Sequence, residues 1–157
     1  MKTLNTDTFL NAKGAKGAKG AKDAKGRPNE QPSFENDFSS EVIGAAVEVQ
    51  RILGVGLLES AYANALAIEL KERELAFVQE APIQAFYKGY DLGLAYRADF
   101  VVEGSLVLEI KAISAVNDVH RAQLLSYLRT SGHRLGLLIN FHAYPVAKSI
   151  HRLVYNP

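Results

Sequence analysis

The chain contains no cysteine. That excludes a disulfide framework, thiolate zinc sites and thiol catalysis, and it agrees with a reducing compartment. No apolar run approaches the roughly 18 residues that a membrane span requires. The opening MKTLNTDTFLNA also lacks the continuous apolar segment of a signal peptide. The default expectation is a cytoplasmic protein with no membrane partner. Four histidines, His120, His133, His142 and His151, show no ligand spacing, so a histidine zinc site is not expected. Net charge is nearly absent, at +1, but it is unevenly spread: residues 1–33 carry seven Lys or Arg against three Asp or Glu, a net of +4, and the remainder carries 11 against 14, a net of −3. An acidic main body counts against an extensive DNA-binding face, and leaves room for a small acidic metal site.

What the chain does have is 157 residues, 48% of them hydrophobic and 22% charged, enough for one globular domain with a real core. Residues 12–26, AKGAKGAKGAKDAKG, repeat a three-residue unit with lysine at 13, 16, 19, 22 and 25. So much glycine and so little apolar surface cannot offset the entropy of ordering. The expectation is a disordered Lys/Gly/Ala-rich tail over residues 1–36 and a folded domain over 37–157. The functional alternative for the tail is a polycationic arm that adds salt-sensitive affinity for phosphate.

Order is expected to begin at Ser39 or Ser40 as N-cap, with Val42, Ile43, Ala46, Val47, Val49 and Leu53 at helical spacing and Gly54 ending the helix. A Gly-Val-Gly joint leads to a second helix from about Leu57 to Arg73, apolar enough to lie against a sheet. Period-two or short apolar runs then mark strands at Leu75–Gln79, Ile83–Tyr87, Leu94–Val102 and Leu106–Ala112. Asn117 or Asp118 caps a third helix running to about Thr130, and strands at Leu135–Phe141 and Ser149–Tyr155 follow. Two helices, a run of strands, a helix and more strands predict an α/β or α+β sandwich around a mixed sheet.

Two stretches carry chemistry: GLLESAY (Gly56 to Tyr62) and YRADFVVEGSLVLEIKA (Tyr96 to Ala112). Alternation along LVLEIKA puts Glu109 and Lys111 on one face. Whether Asp99 shares that face depends on the hairpin register. A two-residue loop at Glu103-Gly104 pairs Asp99 with Leu108 and sends it to the opposite face. A three-residue loop of Val102-Glu103-Gly104 pairs Asp99 with Val107 and makes Glu109 a diagonal neighbour. Both loops suit Glu-Gly. In the second register two carboxylates and an ammonium lie within roughly 5 to 8 Å. Carboxylates that close repel unless a cation sits between them, and oxygen ligands with open water positions suit Mg²⁺ or Mn²⁺. Taken alone, E-x-K describes a solvated strand face with a weak ion pair, and Glu59 a first-turn acid that complements the helix dipole. Tyr62 alone describes a packing residue.

Together these blocks resemble the GxxExxY protein family, a branch of the PD-(D/E)XK nuclease superfamily. The naming motif is intact as Gly56, Glu59 and Tyr62, and VIGAAVEVQRILGVGLLESAY, YRADFVVE, LVLEIKA, AQLLSYL and LGLLINF follow in order. The resemblance spans Val42 to Tyr155. It implies a restriction-endonuclease-like core, with a central mixed sheet flanked by helices, and a nuclease acting on DNA or RNA. It also implies that Glu59, Asp99 and Glu109 hold Mg²⁺ or Mn²⁺, that Lys111 assists hydrolysis, and that Gln123 and Tyr127 correspond to a Q-x-x-x-Y element that positions substrate. Taken alone, Gln123 and Tyr127 describe a polar pair on a helix surface. Ala98 stands in place of the motif proline, and Gln50 and Val55 stand where family members often have histidine and proline. Arg121, Arg129, His133 and Arg134 are candidate phosphate contacts. The rival expectation is a catalytically inactive nuclease-like binding module, and an edge strand offers a route to a homo-oligomer.

Overall fold

The computed structural model of the chain describes residues 37–157. The segment expected to form a flexible tail lies outside the described residues. Helix α1 spans Ser39–Leu53 and is followed by α2, Glu59–Glu72. Strands β1 (Phe77–Tyr87), β2 (Tyr90–Val102) and β3 (Leu106–Lys111) come next, then α3 (Asp118–Ser131), β4 (Leu135–Asn140), a 3₁₀ turn at Val146–Ser149 and β5 (Ile150–Val154). Among the described residues the strands form one sheet in sequential order, β1-β2-β3-β4-β5, in which only the β3–β4 pair is parallel. This is the mixed sheet flanked by helices that the element order predicts.

A parallel pair needs a crossover, and α3 supplies it. It covers one face of the sheet, while α1 and α2 cover the other. With both faces covered, β3 and β4 are apolar almost throughout and nearly every residue in them is buried. Leu106, Leu108 and Ile110 meet α1 and α2, and Val107 meets Leu124 and Leu128 of α3. In α2 the buried set is Tyr62, Leu66 and Leu70, spaced i, i+4, i+8. Leu58 and Ile68, apolar residues of the same predicted helical stretch, are exposed and add nothing to it. Each fully buried leucine contributes about 1.5–3 kcal/mol relative to an exposed one. No helix among the described residues is long and apolar enough to cross a membrane.

Three expectations need correction. The N-cap of α1 is neither serine: Phe38 holds that place with φ 59°, and the Ser39 N–H donates to Asp37 Oδ1 at 2.9 Å. A carboxylate is the stronger acceptor, and Asp37 also binds Arg152 of β5 at 2.8 Å, which ties the helix start to the sheet. The two strands expected at Leu75–Gln79 and Ile83–Tyr87 are one, β1. It tolerates Pro82 because it is the sheet edge, where a missing N–H costs no ladder bond. The strand expected from Leu94 begins at Tyr90, across a Lys88-Gly89 turn in which both residues have positive φ. The third helix begins as expected, with Asn117 as N-cap and His120 completing the capping box.

Candidate active site

The β2–β3 turn takes neither of the two loops open to the sequence. Val102 pairs with Leu106 and the loop is Glu103-Gly104-Ser105, one residue further along than expected. Glu103 (φ 49°) and Gly104 (φ 62°) are left-handed, and the Ser105 N–H donates to the Val102 carbonyl at 3.1 Å. The reason lies outside the hairpin. The Glu103 N–H donates to the Ala76 carbonyl at 2.8 Å, and its carboxylate accepts the Ala76 N–H at 2.7 Å, so a residue distant in sequence sets the register. Carried one step past the last pair, Phe100 with Leu108, this register brings Asp99 opposite Glu109 and not to its diagonal. There the strands part, and Asp99 Oδ2 accepts the Ile110 N–H at 2.6 Å, in place of a backbone carbonyl.

Glu109 is buried, 5% exposed, and Lys111 Nζ donates to its Oε1 at 2.6 Å. This is not a solvated face with a weak ion pair. Glu109 Oε2 is buried without a hydrogen-bond partner, a condition that costs about 1–3 kcal/mol. Burial raises the Glu109 pKa, Lys111 opposes the rise, and the charges of Asp99 and Glu59 add to it. Asp99 is likewise raised, by burial first, against its bond to Ile110 and the charge of Lys111. For Lys111 burial works downward, but the hydrogen bond to Glu109 and the charges of Glu109, Glu59 and Asp99 outweigh it and the ammonium pKa goes up. Acids and amine shift upward together because burial, aided by neighbouring carboxylates, raises the acids while the surplus of carboxylates raises the amine. A surplus of negative potential that favours protons also favours a metal cation.

Glu59 is the first residue of α2, and the rest of GLLESAY presents it. Gly56 has φ 97°, a value that favours glycine. Tyr62 is fully buried and stacks on Phe141 with centroids 4.6 Å apart. Its hydroxyl donates to the Gly54 carbonyl at 2.9 Å and accepts the Leu57 N–H at 3.2 Å, which pins the loop leading into Glu59. Tyr62 is a packing residue with one further duty at its polar end. Glu59, Asp99 and Glu80 line a cavity of about 190 Å³ between α2 and the sheet. Among the described residues, no three His, Cys, Asp or Glu side chains stand close enough together to hold a metal ion as they are. Asp99 and Glu109 are held by their hydrogen bonds, and Glu59, exposed and without an ion-pair partner among the described residues, is the movable acid.

Helix α3 brings Gln123 and Tyr127 to the other side of Glu109. Tyr127 is 5% exposed and its hydroxyl accepts a hydrogen bond from Gln123 Nε2. Its ring stacks on Tyr96 with centroids 3.6 Å apart. Burial, with the charge of Glu109 next, pushes the Tyr127 pKa up to about 12, so the phenol stays protonated at neutral pH. Tyr127 is buried while Gln123 is exposed, so the pair runs from the helix surface into the core. The basic candidates lie elsewhere. His133 bonds the backbone of Gly104 at the β2–β3 turn, the end of β3 opposite Glu109 and Lys111. Arg134 reaches Asn156 and Arg129 lies over the Tyr155 ring. Arg121 pairs with Asp118 at 3.0 Å.

Four further residues take structural or site roles that only the fold reveals. Buried Gln50 donates to the Phe141 and Ala143 carbonyls and accepts the Val146 N–H at 2.6 Å, clasping α1 to the β4–β5 connection. Buried Asn140 brackets Ile113 through its N–H and carbonyl, steadying the exit from β3 beside Lys111. Tyr96 carries the stack on Tyr127, and Glu80 reaches the Asp99 cavity. For Gln50 the sequence showed only a departure from the histidine of the family it resembles, for Asn140 a polar residue inside LGLLINF and for Tyr96 the first position of YRADFVVE; Glu80 had no signal. Over residues 36–153 the chain matches the family model of the PD-(D/E)XK nuclease superfamily. No curated protein matches the chain at a significant level.

Proposed function

Because the chain belongs to the PD-(D/E)XK nuclease superfamily, we propose that it is a divalent-metal-dependent nuclease, of the GxxExxY branch, that hydrolyses phosphodiester bonds in nucleic acid. One observation carries this reading beyond the family match: a carboxylate oxygen on a nine-tenths buried residue, Glu109 Oε2, has no hydrogen-bond partner although the charges of Asp99 and Glu59 act on it. Hard, oxygen-loving Mg²⁺ or Mn²⁺ fits this donor set, with Asp99 and Glu109 as ligands and Glu59 completing the shell. When bound, such an ion supplies charge neutralisation at phosphate and activation of water.

The roles of the side chains follow from their environments. Lys111 keeps its proton, since the carboxylates around it raise its pKa. It is therefore a cation that stabilises charge on a phosphate oxygen, and not a general base. Asp99 spends one oxygen on the Ile110 N–H, which fixes the direction of the other. Gln123 occupies the acceptor side of the Tyr127 hydroxyl, so the phenolic proton is available to a substrate phosphate oxygen. The test is Mn²⁺ titration by calorimetry, followed by cleavage assays on single- and double-stranded DNA and RNA, comparing the parent with Lys111→Ala. The expected result is metal binding in both proteins and cleavage in the parent alone. Metal binding with no cleavage of any form would identify a binding module in place of an enzyme, and no metal binding would remove the reading altogether.

A further inference from the structure

We propose that Glu80 is a further cation-holding carboxylate of this site, a position outside every motif block that carries the family resemblance. The inference rests on the metal-site reading above and deepens it. Glu80 lies in the middle of β1 with φ 50°, in the left-handed region. Its flanking pairs, Gln79 with Phe100 and Ala81 with Ala98, set Glu80 across from Asp99, and opposed residues of antiparallel strands have Cα atoms about 4.5–5.5 Å apart.

The left-handed residue breaks the alternation of side chains. In a regular strand Phe77, Ala81 and Ile83 share a face. Here Phe77 and Phe100 pack toward α1 and α2, whereas Ala81, Ile83 and Ala98 pack toward α3. The two strands exchange faces at the Glu80–Asp99 step. As a result Gln79 and Glu80, adjacent in sequence, both wall the cavity that holds Glu59 and Asp99. A regular strand would present one of them and hide the other.

Charge points the same way. Glu80 has no ion-pair partner among the described residues, and its charge disfavours ionisation of Asp99. The one amine at the site, Lys111, is taken by Glu109. The independent sign of a ligand is the unpartnered Glu109 Oε2, nine-tenths buried in the field of Asp99 and Glu59, two of the three acids that line the cavity. Exposed, with three rotatable side-chain bonds, Glu80 would be free to swing toward a cation held by Asp99 and Glu109.

The experiment measures Mn²⁺ affinity of the full chain by calorimetry, without nucleic acid, for the parent, Glu80→Gln, Glu109→Gln and Glu72→Gln, the last an exposed acid at the end of α2. Glu80→Gln is expected to weaken binding about tenfold or more, and Glu72→Gln to leave it within about twofold, the spread expected for a remote surface charge. Should Glu80→Gln fail to fold by circular dichroism, Glu80→Asn replaces it, because asparagine accepts the left-handed conformation. The same weakening is expected. Affinity of either Glu80 variant within about twofold of the parent, while Glu109→Gln loses binding, overturns the role of Glu80 and leaves the metal site standing. A parent that does not bind Mn²⁺, or a Glu109→Gln that binds like the parent, overturns both.

Discussion

Replacing Glu109 with glutamine should stabilise the metal-free protein and remove its response to metal. Glu109 Oε2 lacks a partner, and burying an unpaired charged oxygen costs about 1 kcal/mol or more above the neutral amide nitrogen that would take its place. Neutral glutamine also relieves repulsion from Asp99 and Glu59. Against this, the bond from Lys111 becomes charge-to-neutral and loses about 1 kcal/mol. The net expectation at neutral pH in chelator is a gain of about 1 kcal/mol, or about 3 °C in Tm for a domain of this size. With Mn²⁺ at about 100 times Kd the parent gains about 2.7 kcal/mol and the variant gains nothing, so the order of stability reverses. The pH dependence has a definite sign. Glu109 and Asp99 have folded-state pKa values above their ordinary ones, so their contribution is fully present below the ordinary carboxylate range and is lost as pH rises through the raised values. In chelator, the parent should lose stability as pH climbs from that range toward neutrality, and Glu109→Gln should lose less. Thermal melts by circular dichroism, across pH and with or without MnCl₂, measure all of this. A variant less stable than the parent in chelator at neutral pH, or one whose Tm still rises with Mn²⁺, would refute the reasoning.

Tyr62→Phe leaves the Leu57 N–H and the Gly54 carbonyl without their shared hydroxyl, and should cost about 1–2 kcal/mol in urea denaturation with an unchanged m value. Mn²⁺ affinity should fall with it, since Glu59 follows the loosened loop; unchanged affinity would show that the loop holds its shape unaided. Gln50→Leu strands the Val146 N–H and two carbonyls, and should cost about 3 kcal/mol by the same measurement. A loss below about 1 kcal/mol would mean that these groups find other partners. Gly136→Ala places a Cβ 3.0 Å from Leu124 Cδ1, and this overpacking should lower stability by about 1–3 kcal/mol. An unchanged Tm would show that α3 moves aside freely.

Local pattern determined much of this protein. Apolar spacing and the caps at Gly54 and Asn117 placed all three helices within a few residues, because those signals act over one or two turns. Alternation alone put Glu109 and Lys111 on a common strand face, and their residue types already suggested a cation site. Tertiary structure decided where Asp99 stands. The register of β2 on β3 depends on Glu103 reaching Ala76, 27 positions earlier, and no turn propensity encodes that contact. The same limit hid Glu80, whose left-handed backbone turns it into the cavity facing Asp99 against the strand's own period. The clasps made by Gln50 and Asn140 were not legible, because their partners are backbone groups tens of residues away. Sequence specifies which side chains are offered and the period at which they recur. Which carboxylates share one pocket, and how far burial raises their affinity for a proton, depend on long-range contacts and local dielectric, properties that exist only once the chain has closed around them.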